Sequence, residues 1–502
     1  MKGLKLILFI TFLFSSLHGF SQEQTEIDIL NANYGVFEKV QGESINKLIG
    51  DVIFRHEGVL MYCDSAYYYP SQNIVYAFSR IHIKQGDTLH LYGDFLKYKG
   101  NIKLAEVRNN VRLIDKETNL KTEYLDFNIE DNIGYYIGGG EVINGENNLQ
   151  SLQGYYYSED KLFFFKDSVV IRNPDYTIYS DTLKYNTVSE IAYFLGPTRI
   201  ISEENFIYCE NGWYDTKQNI SQFAQNAYLK NENQILRGDS LYYERDNGIG
   251  KAFMNVELID SIENVILCGN YAVYQEDMKS FMITQHALFI QISGEDSLFI
   301  HADTLRSQYD TSGTYKIYKA YYKVKLFKSD LQAKCDSLAY SLKDSIIQLF
   351  TEPVIWSDEH QLTSEYIEIY TVNNKIEHVE LQNTAFIISQ EDSVRFNQIK
   401  GKNMIGYFKN DELYKVDVNG NGQTIYYPKD NNEIIGVNKA ESTDLIIYIK
   451  NKEIDRILFI TKPVSTLYPL DQISEKELKL KDFKWLDNYR PKTKNDVFTW
   501  IR

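Results

Sequence analysis

The chain has 502 residues, a formal net charge of −16 and 14% aromatic residues, with 40 Tyr and 27 Phe but only 8 Pro. This acidic balance argues against nucleic acid as a partner, because nucleic-acid binding depends on Lys and Arg that neutralise phosphates. Tyr, Phe, Val and Ile suit a pleated, half-buried surface, so the composition favours β-strands over helices.

The N-terminal segment has the pattern of a secretory signal peptide. Lys2 and Lys5 precede an apolar run over 6–17, and the small residues Gly19 and Ser21 suit cleavage after Ser21. A membrane anchor is the alternative, but the run is shorter than the roughly 20 residues that a spanning helix needs. We therefore expect an exported, periplasmic chain, with association to the outer membrane left open.

One short motif recurs along most of the chain. It consists of an acid or amide, an aliphatic residue two positions later and an aromatic residue four positions later, as in Gly93–Tyr98. The opening residues are Asn33, Asp64, Asp94, Glu123, Gln153, Asp181, Glu210, Asp239, Asn270, Asp303, Asp336, Glu365, Asn403 and Glu441. Eleven of the fourteen residues four positions later are aromatic, whereas a 14% aromatic content predicts about two. Such a repeat indicates stacked units that bury their apolar faces against one another.

Within a repeat, the pattern predicts strands and turns. In one copy we predict a strand over 89–98, a turn at 99–101, a strand over 102–107, a second turn at 108–110 and a short strand over 111–114. Because strand side chains alternate, the aliphatic and aromatic positions should point inward, with the opening acid at the rim. The predicted fold is an all-β, elongated antiparallel β-jellyroll or solenoid of about fourteen repeats.

The repeat weakens towards the C-terminus. A capping box at Ser474–Glu477 predicts a short helix over 475–483, and Arg490–Arg502 is expected to be loosely attached. We divide the chain into a signal peptide (1–21), a repeat body (22–390), and divergent repeats with a helix-containing cap (391–502). The cap would cover the open edge of the stack.

The four cysteines are Cys63, Cys209, Cys268 and Cys335, which lie in non-adjacent repeats. A disulfide requires Cα atoms within about 7 Å, so we expect four free, mostly buried thiols.

No catalytic or metal-binding pattern stands out. The eight His residues lack metal-site spacing, no two cysteines are close enough for zinc, and there is no nucleophile elbow or phosphate-cradling loop. Gly138–Gly140 is interpreted as a bend, and the row of acids as structural, with Ca²⁺ binding the alternative. We therefore expect no enzyme activity, no cofactor and no metal.

The segment Gly50–Phe54, followed by Cys63–Tyr68 and Ile81–Ile83, resembles the repeating unit of the LptA/OstA family of periplasmic lipopolysaccharide-transport proteins. The resemblance extends over about residues 27–390, and the C-terminal part is similar to the extension of larger OstA-like proteins of the Bacteroidetes type. It implies a twisted antiparallel jellyroll, open along one side, whose apolar groove holds lipopolysaccharide acyl chains. It also implies stacking onto transport proteins at the inner and outer membranes, or onto further copies of itself.

The resemblance makes the inward-facing ladder a candidate lipid-binding groove. Its candidate residues are Leu96, Tyr98, Leu125, Phe127, Leu183, Tyr185, Leu241, Tyr243, Leu338 and Tyr340. Whether this ladder is a sealed core or an open groove is not decided by the pattern. A non-enzymatic β-solenoid scaffold for protein interaction in the cell envelope is the main alternative function. A polysaccharide-processing β-helix enzyme is a third, although no break in the repeat marks an active site before Asn403.

Overall fold

The computed structural model describes residues 25–500 apart from residues 204, 295, 374, 411, 432 and 452. The predicted signal peptide lies outside these residues. The chain divides into two compact units, of which unit 1 ends at Gly196 and unit 2 begins at Pro197. Both are built from antiparallel strands, and the described part of the chain contains no α-helix. The all-β antiparallel fold is therefore confirmed, while the boundary at residue 390 remains a prediction.

Unit 1 consists of long, consecutively paired strands and one short 3₁₀ turn, Gly100–Ile102. Its strands are Asp28–Asn31, Tyr34–Val40, Glu43–His56, Val59–Tyr69, Ile74–Gln85, Leu89–Lys99, Leu104–Asp115, Thr118–Asn128, Ile133–Asn144, Asn147–Tyr157, Leu162–Asn173, Tyr176–Asn186 and Ile191–Phe194.

Unit 2 begins with short strands, continues with long ones and ends in a segment with three 3₁₀ helices. Its strands are Thr198–Ile201, Phe206–Cys209, Asn211–Asp215, Ile220–Ala224, Tyr228–Lys230, Gln234–Arg237, Ser240–Glu244, Ile249–Asp260, Val265–Gln275, Ser280–Gln291, Leu298–Tyr309, Lys316–Phe327, Gln332–Ser341, Ile346–Phe350, Val354–Ser357, His360–Thr363, Tyr366–Val372, Lys375–Gln382, Phe386–Gln390, Phe396–Lys400, Asn403–Lys409, Glu412–Tyr426, Lys429–Asp430, Glu433–Ile434, Val437–Lys450, Glu453–Phe459 and Val464–Tyr468. Its 3₁₀ helices are Leu470–Gln472, Asp487–Tyr489 and Asp496–Phe498.

Every second long strand of unit 1 bends sharply near its midpoint. In the strand Leu104–Asp115 the bend is formed by Asn109 and Asn110, whose φ angles of 63° and 52° are both left-handed. The register with the next strand shifts at this point, as in a β-bulge. The second turn predicted at 108–110 is therefore wrong. Two left-handed residues redirect the chain there without ending the strand.

The predicted glycine bend is confirmed. Gly138 and Gly139 have φ angles of 87° and 112° and occupy the same bend position in the strand Ile133–Asn144. A Cβ on Gly140 would lie only 2.4 Å from the buried ring of Tyr136, so this position also requires a residue without a side chain.

The opening acids support these bends. Asp94 is exposed and accepts a hydrogen bond from Asn110 Nδ2 (2.6 Å), one of the left-handed residues of the neighbouring strand. In unit 2, Asn255 Nδ2 donates to Asp239 in the same way (3.1 Å). These contacts favour the structural interpretation of the acids, because each carboxylate holds the bend of an adjacent strand.

The bends divide unit 1 into two walls. Wall A contains the strand halves joined by turns of two or three residues, such as 111–115 and 118–122. Wall B contains the halves joined by four-residue turns, such as 124–128 and 133–137. Alternate side chains of both walls are buried, which places the core between them.

All four cysteines are free, as predicted. Cys63, Cys209 and Cys335 are buried and Cys268 is half-buried. Burial raises the pKa of the Cys63 and Cys209 thiols to about 12. These thiols are therefore poor nucleophiles at neutral pH.

Residues 469–500, here called the C-terminal strap, do not add strands to unit 2 but run back along the outer face of its sheet. Gln361 Nε2 donates to Lys484 O (2.7 Å), and Leu486 N donates to Gln361 Oε1 (2.7 Å). All four residues of the strand Val354–Ser357 are buried, whereas most strands alternate. The strap therefore covers the outer face of strands whose inner face already forms the core.

The helix predicted over 475–483 is wrong, because this segment forms successive turns. The capping contact exists, since Ser474 N donates to Glu477 Oε2 (3.3 Å). However, Leu480 N donates to Gln398 Oε1 (2.9 Å) on the sheet. So short a helix is marginal on its own, and contacts with the sheet determine the conformation instead.

The expectation that Arg490–Arg502 is loosely attached is also wrong for its described part. Arg490 donates from Nε to Gln332 Oε1 (2.7 Å) and from Nη1 to Asp358 O (2.9 Å). Val497 is buried against the sheet. The expectation of loose attachment rested on the polar composition of this segment, which does not show that a few of its side chains anchor it.

Candidate functional site

The candidate ladder residues line the interior of the unit to which each belongs. Six lie in unit 1 and are at most 1% exposed: Leu96, Tyr98, Leu125, Phe127, Leu183 and Tyr185. In unit 2, Leu241, Leu338 and Tyr340 are buried. Tyr243 is half-buried, and its hydroxyl donates to Glu276 Oε2 (3.2 Å) near a turn. Burial and this carboxylate raise the pKa of Tyr243 to about 12, so its hydroxyl remains a donor.

Strands between the motif copies supply an equal share of the lining. Phe163 is directly opposite Tyr185 in register, and Phe165 is opposite Leu183. Both phenylalanines are fully buried. The motif did not identify them, and the unbroken apolar run Leu162–Phe165 contains no polar alternation that separates them from Phe164.

The interior is filled by these side chains. Phe163 stacks on Phe165 with ring centroids 5.2 Å apart, and on Tyr156 at 4.4 Å. In unit 2 the crevice beside Leu338 and Tyr340 has a free volume of about 10 Å³, room for at most one water molecule. A long apolar ligand could therefore occupy the interior only if the walls move apart.

Polar side chains close the edge of unit 1 opposite the bends. We call this edge the mouth, and it lies between the turns of wall A (57–58, 86–88, 116–117, 145–146) and those of wall B (70–73, 100–103, 129–132, 158–161). Pairs that join the two rows of turns, here called rungs, connect residues 38 to 47 positions apart in sequence. The rungs are Glu57–Lys103, His56–Tyr98, Gln85–Asn132, Asp115–Tyr156, Asp115–Lys161, Asn144–Tyr185 and Asn147–Tyr185.

The most buried rung is centred on Asp115, whose side chain is fully shielded from solvent. Its Oδ2 accepts from Tyr156 Oη (2.7 Å) and from Lys161 Nζ (2.5 Å). Among the described residues, its Oδ1 has no hydrogen-bond partner. Burial, and then the contact with Asp115, raise the pKa of Tyr156, so the phenol stays protonated and donates. Among the described residues, Lys161 is the cation that pairs with this buried carboxylate.

Unit 2 contains a matching rung. Asp260 Oδ2 accepts from Lys316 Nζ (2.5 Å) and from Gln234 Nε2 (2.8 Å). Burial opposes the ionisation of Asp260, but these hydrogen bonds outweigh burial and lower its pKa. An acid–lysine pair at the strand ends is therefore a feature of both units.

No three His, Cys, Asp or Glu side chains converge as metal ligands within the described ranges. The same part of the chain includes no helix with the length and hydrophobicity of a membrane span.

The fold and the site define a class of non-helical repeat protein, in which antiparallel strands bend around an apolar interior that polar rungs close. The family model described as OstA-like protein matches residues 24–181, 177–239 and 206–291, together just over half of the chain. The chain belongs to this family, which confirms the resemblance found in the repeat motif. Membership implies a general role in lipopolysaccharide transport. The family is periplasmic and is a transport and binding family rather than an enzyme family. No curated protein matches the sequence.

Proposed function

We propose that this protein is a periplasmic carrier or bridge that moves lipopolysaccharide toward the outer membrane, with the acyl chains held between its two walls. The observation that carries the proposal is the continuous apolar lining of unit 1. Backbone pairing joins the strands that carry this lining, whereas the two walls meet at the mouth through side chains. Other transport proteins at the two membranes, or further copies of the chain, are the proposed partners.

The net charge of −16 opposes the binding of an anionic ligand, and the magnitudes of the two effects decide which one dominates. Burying one CH₂ group contributes about 0.8 kcal/mol, so a chain of about 12 carbons contributes up to roughly 10 kcal/mol before ordering costs. A contact between exposed like charges costs about 1 kcal/mol or less, and salt reduces it further. Acyl burial therefore dominates, provided that the phosphates of the lipid remain in water.

Neighbouring residues of one strand allow a matched test. Phe163 points into the interior and Phe164 points outward, where Lys184 lies over its ring. A benzophenone amino acid should capture lipopolysaccharide in cells when it replaces Phe163 but not when it replaces Phe164. Mass spectrometry of the purified adduct identifies the lipid. Crosslinking at 164 alone, or equally at both positions, would contradict acyl binding between the walls.

The filled interior gives the scaffold alternative a specific basis, since a protein-binding solenoid needs no cavity. The same experiment separates the two functions. A scaffold would yield protein adducts at the outward-facing position and no lipid adduct at either position.

A further inference from the structure

The last residue of three successive four-residue turns in wall B reaches across the mouth of unit 1. These residues share a left-handed backbone, with φ between 50° and 57°. They are Lys103, Asn132 and Lys161. They recur at the period of the motif, so the rungs are a repeated element of the fold rather than isolated contacts.

Charged rungs alternate with an amide rung. Lys103 Nζ lies 2.8 Å from Glu57 Oε2 across the mouth and 3.2 Å from Glu130 Oε1 on its own side. The Lys161–Asp115 pair follows two turns later, with Gln85–Asn132 between them. Lys103 and Lys161 are two of the three lysines in the turns of the mouth, which also hold eight acidic residues.

Among the described residues, the contacts across this edge are made by side chains. At the bends, the walls are joined by continuous strands, so separating them there would break the backbone ladder. At the mouth, separation would break the rungs and expose part of the apolar ladder, but it would break no strand pairing of the described residues. The walls should therefore part at the mouth first, and parting would expose Tyr98 and Tyr185, which belong to the rungs and to the apolar ladder.

We propose that a lipid with several acyl chains and phosphate groups is taken up sideways through this mouth, and that Lys103 and Lys161 exchange their carboxylate partners for the lipid phosphates. This inference rests on the proposed function and adds the route and the headgroup contacts. The acyl chains would lie between the walls while the phosphates stay at the solvent edge. Hydrogen bonds with Glu57 and Glu130 raise the pKa of Lys103, so this lysine is charged while it pairs with them. The acid–lysine pair of unit 2 offers a second position with the same chemistry.

A reversible lock across the mouth tests the route. Glu117 and Asp160 are exposed turn residues beside the Asp115–Lys161 rung, one in each row of turns. The variant Glu117→Cys/Asp160→Cys would be linked by a bismaleimide with a disulfide in its spacer. The matched control is Glu117→Cys/Glu146→Cys, because both residues lie in turns of wall A and the link does not cross the mouth. The native thiols react slowly because of their raised pKa.

The readout is uptake of bisphosphorylated, hexa-acylated lipid A from detergent micelles by the full mature chain. Locking across the mouth should reduce the uptake rate about tenfold or more, which corresponds to about 1.4 kcal/mol in the barrier. Adding reductant should restore it, and the control link should have no effect. Normal uptake by the locked protein overturns the sideways route but leaves the proposed function standing. If neither the mouth-locked protein nor the control takes up the lipid, before or after reduction, both the sideways route and the proposed function are overturned.

A second variant tests the phosphate contact. Lys103→Gln should weaken retention of bisphosphorylated lipid A about fivefold, or about 1 kcal/mol, and leave retention of a dephosphorylated lipid A unchanged. Lys97→Gln is the control, since Lys97 lies over the ring of Tyr76 on the outer face. An equal loss for both lipids, or none for either, contradicts the headgroup assignment.

Discussion

Replacing Lys161 with Met is expected to destabilise the protein by about 3–5 kcal/mol, because the change leaves a buried carboxylate without its cation. Asp115 is shielded from solvent and would keep Tyr156 as its one donor among the described residues. Met matches the length of the lysine stem, so packing changes little. Urea unfolding followed by far-UV circular dichroism measures the loss.

The double variant Asp115→Asn/Lys161→Met is the matched control, since it removes both charges. It should recover most of the lost stability, because an uncharged buried pair costs far less than an isolated charge. All four tryptophans (Trp213, Trp356, Trp485 and Trp500) lie in unit 2. Tryptophan fluorescence therefore follows unit 2 alone, and its transition should change less than the dichroism. If Lys161→Met unfolds at the same urea midpoint as the wild-type protein by circular dichroism, this rung does not hold unit 1 closed.

Deleting residues 469–502 is expected to destabilise unit 2 by about 5 kcal/mol or more, since several large side chains lose their cover and each contributes about 1.5–3 kcal/mol. The strap residues Ile473, Leu478 and Leu480 pack on a buried cluster that contains Ile425 and Val437. The exposed outer face should also cause self-association, as large apolar patches do. Fluorescence of the two tryptophans that remain, Trp213 and Trp356, in urea and sedimentation velocity measure the two effects.

Point variants distinguish the loss of specific strap contacts from a general effect of truncating the chain. Gln361→Leu leaves two backbone groups of the strap, at Lys484 and Leu486, without their partner. Each unpaired buried group costs about 1–3 kcal/mol. Gln348→Leu is the control, because this side chain bonds Glu368 and Tyr366 and does not touch the strap in the described contacts. Equal effects of the two variants, or a truncated protein as stable as the full chain, would contradict a structural role for the strap.

The repeat motif was sufficient to predict the interior ladder and the free cysteines. Alternation along a strand determines which side chains are buried. Because the same residue type recurs at one position of each repeat, the register between neighbouring strands is also restricted. Leu96 and Tyr98 are buried, as the period of two requires. Asp94 has the same parity but is exposed, because it lies where the register shifts at the bend.

The features that close the molecule depend on tertiary contacts, and the motif alone did not predict them. Lys103 and Asn132 each follow an opening residue by nine positions, so their period was visible, but only the bend of the walls shows that they face Glu57 and Gln85. The strap was missed for a related reason. Its turns are fixed by glutamines such as Gln398, about 80 residues earlier in the chain.

The most direct test of the account is depletion of this protein in its native host, followed by pulse-labelling of newly made lipopolysaccharide. If the protein carries or bridges the lipid across the periplasm, labelled lipopolysaccharide should accumulate in the inner-membrane fraction and disappear from the cell surface. Surface delivery at the normal rate after depletion would contradict the transport function and favour an envelope scaffold instead.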